Sequence, residues 1–196
     1  MIMEMILDLK FQVFGDVINV DHGYSLFSAI SRLLPEFHES LDVGLGLIRG
    51  RYIGDGLLSL MPGSRLVFRL PAGRLAVYIN LAGKTLDVDG HRLRVGVPNS
   101  HGLVPATTLY SHLVSTRNGQ DQQRFEKEIA RQLQSSDCRG KVTTGKRRTV
   151  TIHSRQVVGY SLLVSELTAG ESITLQEHGL GGRRKMGCGF FEPWKG

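Results

Sequence analysis

Apolar and polar residues alternate through LDLKFQV, residues 7–13, with Leu7, Leu9, Phe11 and Val13 in one set and Asp8, Lys10 and Gln12 in the other. A period of two belongs to a strand with one buried face. The period then lengthens. Leu26, Phe27, Ile30, Leu33 and Leu34 recur at helical spacing until Pro35, predicting a helix with Asp21 as its N-cap that ends at the proline. A glycine-rich connection, VGLGLIRGRYIGDG, separates this unit from SRLVFRL, where Leu66, Phe68 and Leu70 alternate with Arg65, Val67 and Arg69. The turn PAG and the apolar run LAVYINLAG predict the second arm of a hairpin. A further hairpin, KTLDVDGHRLRV, turns at Asp89-Gly90, a dipeptide that accepts positive φ at low cost.

The second half repeats that order. A strand over ATTLYSHLVSTR is followed by QDQQRFEKEIARQL, with Phe125, Ile129 and Leu133 on one helical stripe, and then by strands near 148–153, 156–164 and 171–176. The fold class expected is α+β. It consists of two tandem ferredoxin-like (RRM-like) units, 1–104 and 105–196, each with helices on one face of an antiparallel sheet.

Composition narrows the function more than the architecture. The 196 residues are 41% hydrophobic, which suits one compact domain or two small ones and argues against disorder. No apolar run is long enough for a membrane span, and MIMEMILDLK carries acidic residues and no signal-peptide cleavage pattern, so a cytoplasmic protein is expected. Cys138 and Cys188 lie in no paired Cys/His spacing, so no metal site is expected. The charge is uneven: residues 139–196 hold 10 Lys/Arg against 4 Asp/Glu, whereas the other 138 residues balance at 14 against 14. A basic excess confined to one end implies a patch for a phosphate-rich partner, RNA or DNA first.

The segment GLGGRRKMGCGFF, residues 179–191, sets Arg183, Arg184 and Lys185 among five glycines, Gly179, Gly181, Gly182, Gly187 and Gly189. Glycines let backbone approach phosphate and offer N–H groups to it, and the basic side chains add charge. An NTPase phosphate loop is excluded because Met186 follows Lys185. A dinucleotide fingerprint is excluded because Arg184 occupies the place of its third glycine. A second basic run, Lys146, Arg147 and Arg148 after Gly145, reads as a loop able to grip a stem along its phosphates, and Arg49 and Arg51 lie in the earlier glycine-rich connection.

A C-terminal glycine loop that is basic in the middle and closes on Gly187-Cys188-Gly189 resembles the signature of the repeat-associated RNA-binding superfamily. DHGYSLFSAISRLLPEFHE, residues 21–39, adds a resemblance to the Asp-His-Gly-Tyr type I subtype of the Cas-six family of CRISPR endoribonucleases. That resemblance implies metal-independent cutting of precursor CRISPR RNA beside the repeat stem-loop, with no cofactor. It also implies retention of the mature guide RNA and association with other subunits of a type I effector complex. Within it, His38 is the first catalytic choice, with Tyr24 matching an upstream family tyrosine, and His22 at the helix start is the second. Histidine suits either proton transfer because its ordinary pKa is about 6.5. The rival class is a non-catalytic subunit that holds guide RNA with the same basic loop.

Overall fold

The computed structural model describes residues 4–196 and divides into two compact units, Met1–Gly102 and Leu103–Gly196. In the first unit, strand β1 (Ile6–Phe14) leads through the short β2 (Val17–Asn19) into helix α1 (Gly23–Leu33) and the single turn α2 (Pro35–Glu39). Then come β3 (Gly44–Gly46), β4 (Arg51–Gly54), β5 (Leu57–Ser59), β6 (Arg65–Pro71), α3 (Leu75–Ile79), β7 (Thr85–Val88) and β8 (His91–Gly102). The main sheet is antiparallel in the order β3-β6-β1-β8-β7, and β2-β5-β4 form a small separate sheet. Setting the β7 edge aside, strand, helix, two strands, helix and strand follow the ferredoxin-like order. The alternation in β1 sends Leu7, Leu9, Phe11 and Val13 into a core shared with Leu26, Phe27 and Ile30 of α1, with Phe37 and with Tyr78. Its other face carries Asp8, whose carboxylate accepts two hydrogen bonds from the buried Arg69 guanidinium across β1 and β6, at 2.8 and 3.1 Å.

The second unit runs β9 (Leu109–Ser115), α4 (Gln122–Ser135), β10 (Lys141–Ile152), β11 (Arg155–Ser165), α5 (Ala169–His178) and β12 (Glu192–Pro193). Its antiparallel sheet has the order β10-β11-β9-β12, the ferredoxin-like arrangement without additions. Phe125, Ile129 and Leu133 of α4 pack with Leu175 of α5 against Leu109, Val114, Tyr160, Leu162 and Val164 of the sheet. Among the described residues no helix is long and apolar enough to cross a membrane.

Three local expectations are corrected. Residues 75–79 form helix α3, not a hairpin arm, and β6 pairs instead with β1 and β3. Residues 171–176 lie in helix α5, not a strand, which gives the second unit two helices where the sequence predicted one. Its buried face is Ser172, Leu175 and Gln176, two of them polar, which hides its helical period from a hydrophobicity reading. The N-cap of α1 is His22 rather than Asp21, and no side chain caps the helix.

Candidate functional site

The first unit gathers Tyr24, Phe27 and His38. Tyr24 and Phe27 are one helical turn apart on α1, which puts their rings side by side, with centroids 6.3 Å apart. Pro35 ends the α1 path and opens α2, so the chain doubles back enough for the His38 ring to rest 5.6 Å from Phe27 at 34°. Phe27 in turn meets Phe37 at 5.6 Å, Phe37 meets Phe68 at 5.5 Å, and Phe68 meets Tyr78 at 5.0 Å. A continuous line of rings thus runs from the core to the surface, with the exposed His38 and the half-buried Tyr24 at its outer end. Sequence reading named Tyr24 and His38 but missed Phe27, which touches both. The signal was there in the i,i+3 spacing of Tyr24 and Phe27.

His22 stands differently. It is 1% exposed and bridges two segments: the Ile48 backbone N–H donates to Nε2 at 3.0 Å, so Nδ1 carries the proton and donates to the Asn19 carbonyl at 2.7 Å. Burial holds its pKa below the ordinary value, outweighing the backbone hydrogen bonds at Asn19 and Val20 and the charge of Asp21. Both nitrogens are engaged inside the protein, an arrangement that positions backbone and leaves neither nitrogen for substrate. What it positions is the approach to Arg49, whose carbonyl also accepts a hydrogen bond from Ser64 Oγ at 2.5 Å. Arg49 and Arg51 are exposed, Arg51 at the start of β4.

In the second unit, Gly179–Gly189 follows a helix, not the strand expected before it, and is tied to β9. Gly182 N–H donates to Ser115 O at 3.0 Å, Gly189 N–H to Leu113 O at 2.7 Å, and Gly181 N–H to Gln132 Oε1 at 2.8 Å, while Gly179 N–H closes α5 on Leu175 O. The expectation that glycine N–H groups meet phosphate is therefore corrected at these four positions, because each already has a protein acceptor. The glycines serve close packing instead. A Cβ on Gly181 would run into Ser115 O, and one on Gly189 into Leu180 O, and both residues have positive φ. Gly187 is also left-handed. Arg183 adopts φ 62°, rare for a residue with a Cβ, and its carbonyl accepts from Met186 and Cys188 N–H at 2.9 and 3.3 Å.

This pinned backbone directs the cations. Arg183 Nη1 reaches Ser115 Oγ at 3.5 Å, Arg184 Nη2 donates to Glu177 O at 2.7 Å, and Lys185 is half-buried beside them. Lys146, Arg147 and Arg148 do not form the expected loop; they lie within β10 at a bulge between Thr144 and Arg147. Lys146 N–H bonds Ser161 Oγ at 3.0 Å, Arg147 Nη2 bonds Gln120 Oε1 at 3.1 Å, and Arg148 faces Gly159. Among the described residues, no group of three or more His, Cys, Asp or Glu side chains is arranged to hold a metal ion.

Comparison with known proteins agrees with the residues that first suggested a family. The family model described as "Cas6 Crispr" matches residues 7–196. A CRISPR-associated endonuclease Cas6 from Myxococcus xanthus is 38% identical over 187 residues, covering 95% of this chain and 81% of that protein. Among solved structures, "An RAMP protein binding different RNA substrates" superposes with a TM-score of 0.68 at 11% identity, covering 95% of this chain and 98% of that one. A structure titled for a Cas6-related gene from Pyrococcus furiosus gives 0.64 at 12%, covering 97% and 99%. The solved structures share the ferredoxin-like fold, and the match to family model and curated relative extends over nearly the whole sequence: the chain belongs to the Cas6 family.

Proposed function

We propose that this protein is a metal-independent endoribonuclease that cuts precursor CRISPR RNA within the repeat, next to the stem-loop. It then stays bound to the mature guide RNA for assembly with other effector subunits. The observation that carries the reading is the exposed His38 ring, held on Phe27 beside Tyr24, in a chain 38% identical to a CRISPR-associated endonuclease.

In the reaction, the ribose 2′-hydroxyl loses its proton and its oxygen bonds to the adjacent phosphorus. The bond to the 5′-oxygen breaks and that oxygen gains a proton, leaving a 2′,3′-cyclic phosphate and a 5′-hydroxyl. His38 carries the acid–base step and Tyr24 borders the same ring platform, an imidazole at the surface being the side chain most often used for positioned proton transfer. His22 acts through its hold on Ile48, fixing the backbone that leads to Arg49 and Arg51. Arg183, Arg184, Lys185, Lys146, Arg147 and Arg148 supply charge for the RNA backbone, since a stem is read mainly by shape and phosphate contacts.

The test is cleavage of a labelled repeat RNA in EDTA, beside a substrate whose 2′-hydroxyl at the cut is replaced by hydrogen. Cutting that survives EDTA, stops on the deoxy substrate and leaves a cyclic phosphate is expected. Tight binding with no cutting would make the protein a guide-RNA holder instead.

A further inference from the structure

The chain has one tryptophan, Trp194, and its placement is unusual: 48% exposed, yet fixed by the sheet. Its backbone N–H donates to Thr108 O at 3.0 Å, which continues the pairing in which Glu192 and Pro193 of β12 oppose Tyr110 and Leu109 of β9. Its ring meets Tyr110 with centroids 4.9 Å apart at 49°. Leu109 packs into the helix-side core, so by strand alternation Tyr110 projects from the opposite face of the sheet, the face without helices.

That face is also cationic. Ser115, Gly159 and Arg148 form a row across β9, β11 and β10, and Arg183 reaches this row through Ser115 Oγ. Leu163, which opposes Tyr110, and Gly159 are four residues apart on β11, about 13 Å at ~3.3 Å per residue. Lys195 follows the tryptophan directly. Exposed aromatic rings set among basic side chains are the elements that hold unpaired nucleotides, the rings stacking on bases and the cations neutralising phosphates.

We infer that Trp194, backed by Tyr110, is a stacking platform for an unpaired base flanking the repeat stem, with the adjoining phosphates running toward Arg183 and Arg148. This rests on the RNA-binding reading above and adds a nucleotide subsite to it.

Because Trp194 is the only tryptophan, its fluorescence reports on this site directly. The experiment titrates the full chain with two RNAs, a repeat stem-loop carrying its unpaired flank and the same stem-loop trimmed blunt, and follows fluorescence and affinity together. The flanked RNA quenches Trp194 with the same midpoint as binding, and the blunt RNA binds without the quench. Trp194→Ala weakens the flanked RNA by about 5- to 150-fold, leaves the blunt RNA unaffected and leaves the melting temperature unchanged, while Trp194→Phe retains most of the affinity. If both RNAs bind and neither quenches, or if Trp194→Ala weakens both equally, the stacking site is wrong and the RNA-binding reading stands. If neither RNA binds, both fail.

Discussion

Two histidines in one short segment have opposite surroundings. His38 is exposed on a ring, whereas His22 is buried with both nitrogens engaged. Sequence alone could not separate them, because what distinguishes them is Ile48, 26 residues from His22 and without a side-chain motif to announce its N–H. His22→Ala leaves that buried N–H and the Asn19 carbonyl without partners, and is expected to cost about 1–3 kcal/mol, read as a lower melting temperature. Its pH dependence has a definite sign. Burial lowers the folded pKa, so below about 6.5 the unfolded chain takes up a proton that the folded chain resists. Stability is thus fully present above that pH and falls as pH drops through it, levelling once the folded form also protonates. Melting curves from pH 8 to pH 5 should show this slope in the wild type and a shallower one in His22→Gln; equal slopes would remove His22 from the account.

At the scale of elements, strands with strict alternation were legible: β1, β6 and the β7–β8 hairpin turning at Asp89-Gly90 all form, with φ 55° and 84° at the turn. The helix α4 was legible from its stripe of Phe125, Ile129 and Leu133. What failed was short or polar on its buried side. Helix α3 spans five residues, too few to separate a period of 3.6 from one of two. Helix α5 buries Ser172 and Gln176, satisfied by Ala106 N–H and Val104 O, so its hydrophobic pattern misleads. Its start was nevertheless written in the chain as Thr168 and Glu171, which form a capping box. In the loop after α5 the five glycines were legible, but not their purpose, because the Ser115, Leu113 and Gln132 acceptors lie far away in sequence. A paired substitution tests that purpose. Gly181→Ala meets Ser115 O at positive φ and is expected to cost at least about 1–2 kcal/mol of stability and to weaken RNA binding. Gly182→Ala faces open space and should stay within about 0.5 kcal/mol. Equal effects would show that tight packing on β9 does not matter.

Across the whole molecule, the charge asymmetry seen in the sequence corresponds to the second unit, which holds both basic clusters, while His38, proposed for the acid–base step, belongs to the first. Binding and chemistry should therefore separate on mutation. Affinity for repeat RNA is expected to fall steeply with salt, and Arg183→Ala or Lys185→Ala should each reduce the log–log slope by about 1. A slope unchanged in both would argue against phosphate contacts from this loop. The central claim concerns His38, and the measurement that tests it most directly is the single-turnover cleavage rate of bound repeat RNA by wild type, His38→Ala and His22→Ala, with affinity and melting temperature measured alongside. The account predicts that His38→Ala loses about 10²- to 10⁴-fold in rate with affinity and melting temperature held, whereas His22→Ala loses stability first. Full cleavage by a folded, RNA-bound His38→Ala protein would contradict it.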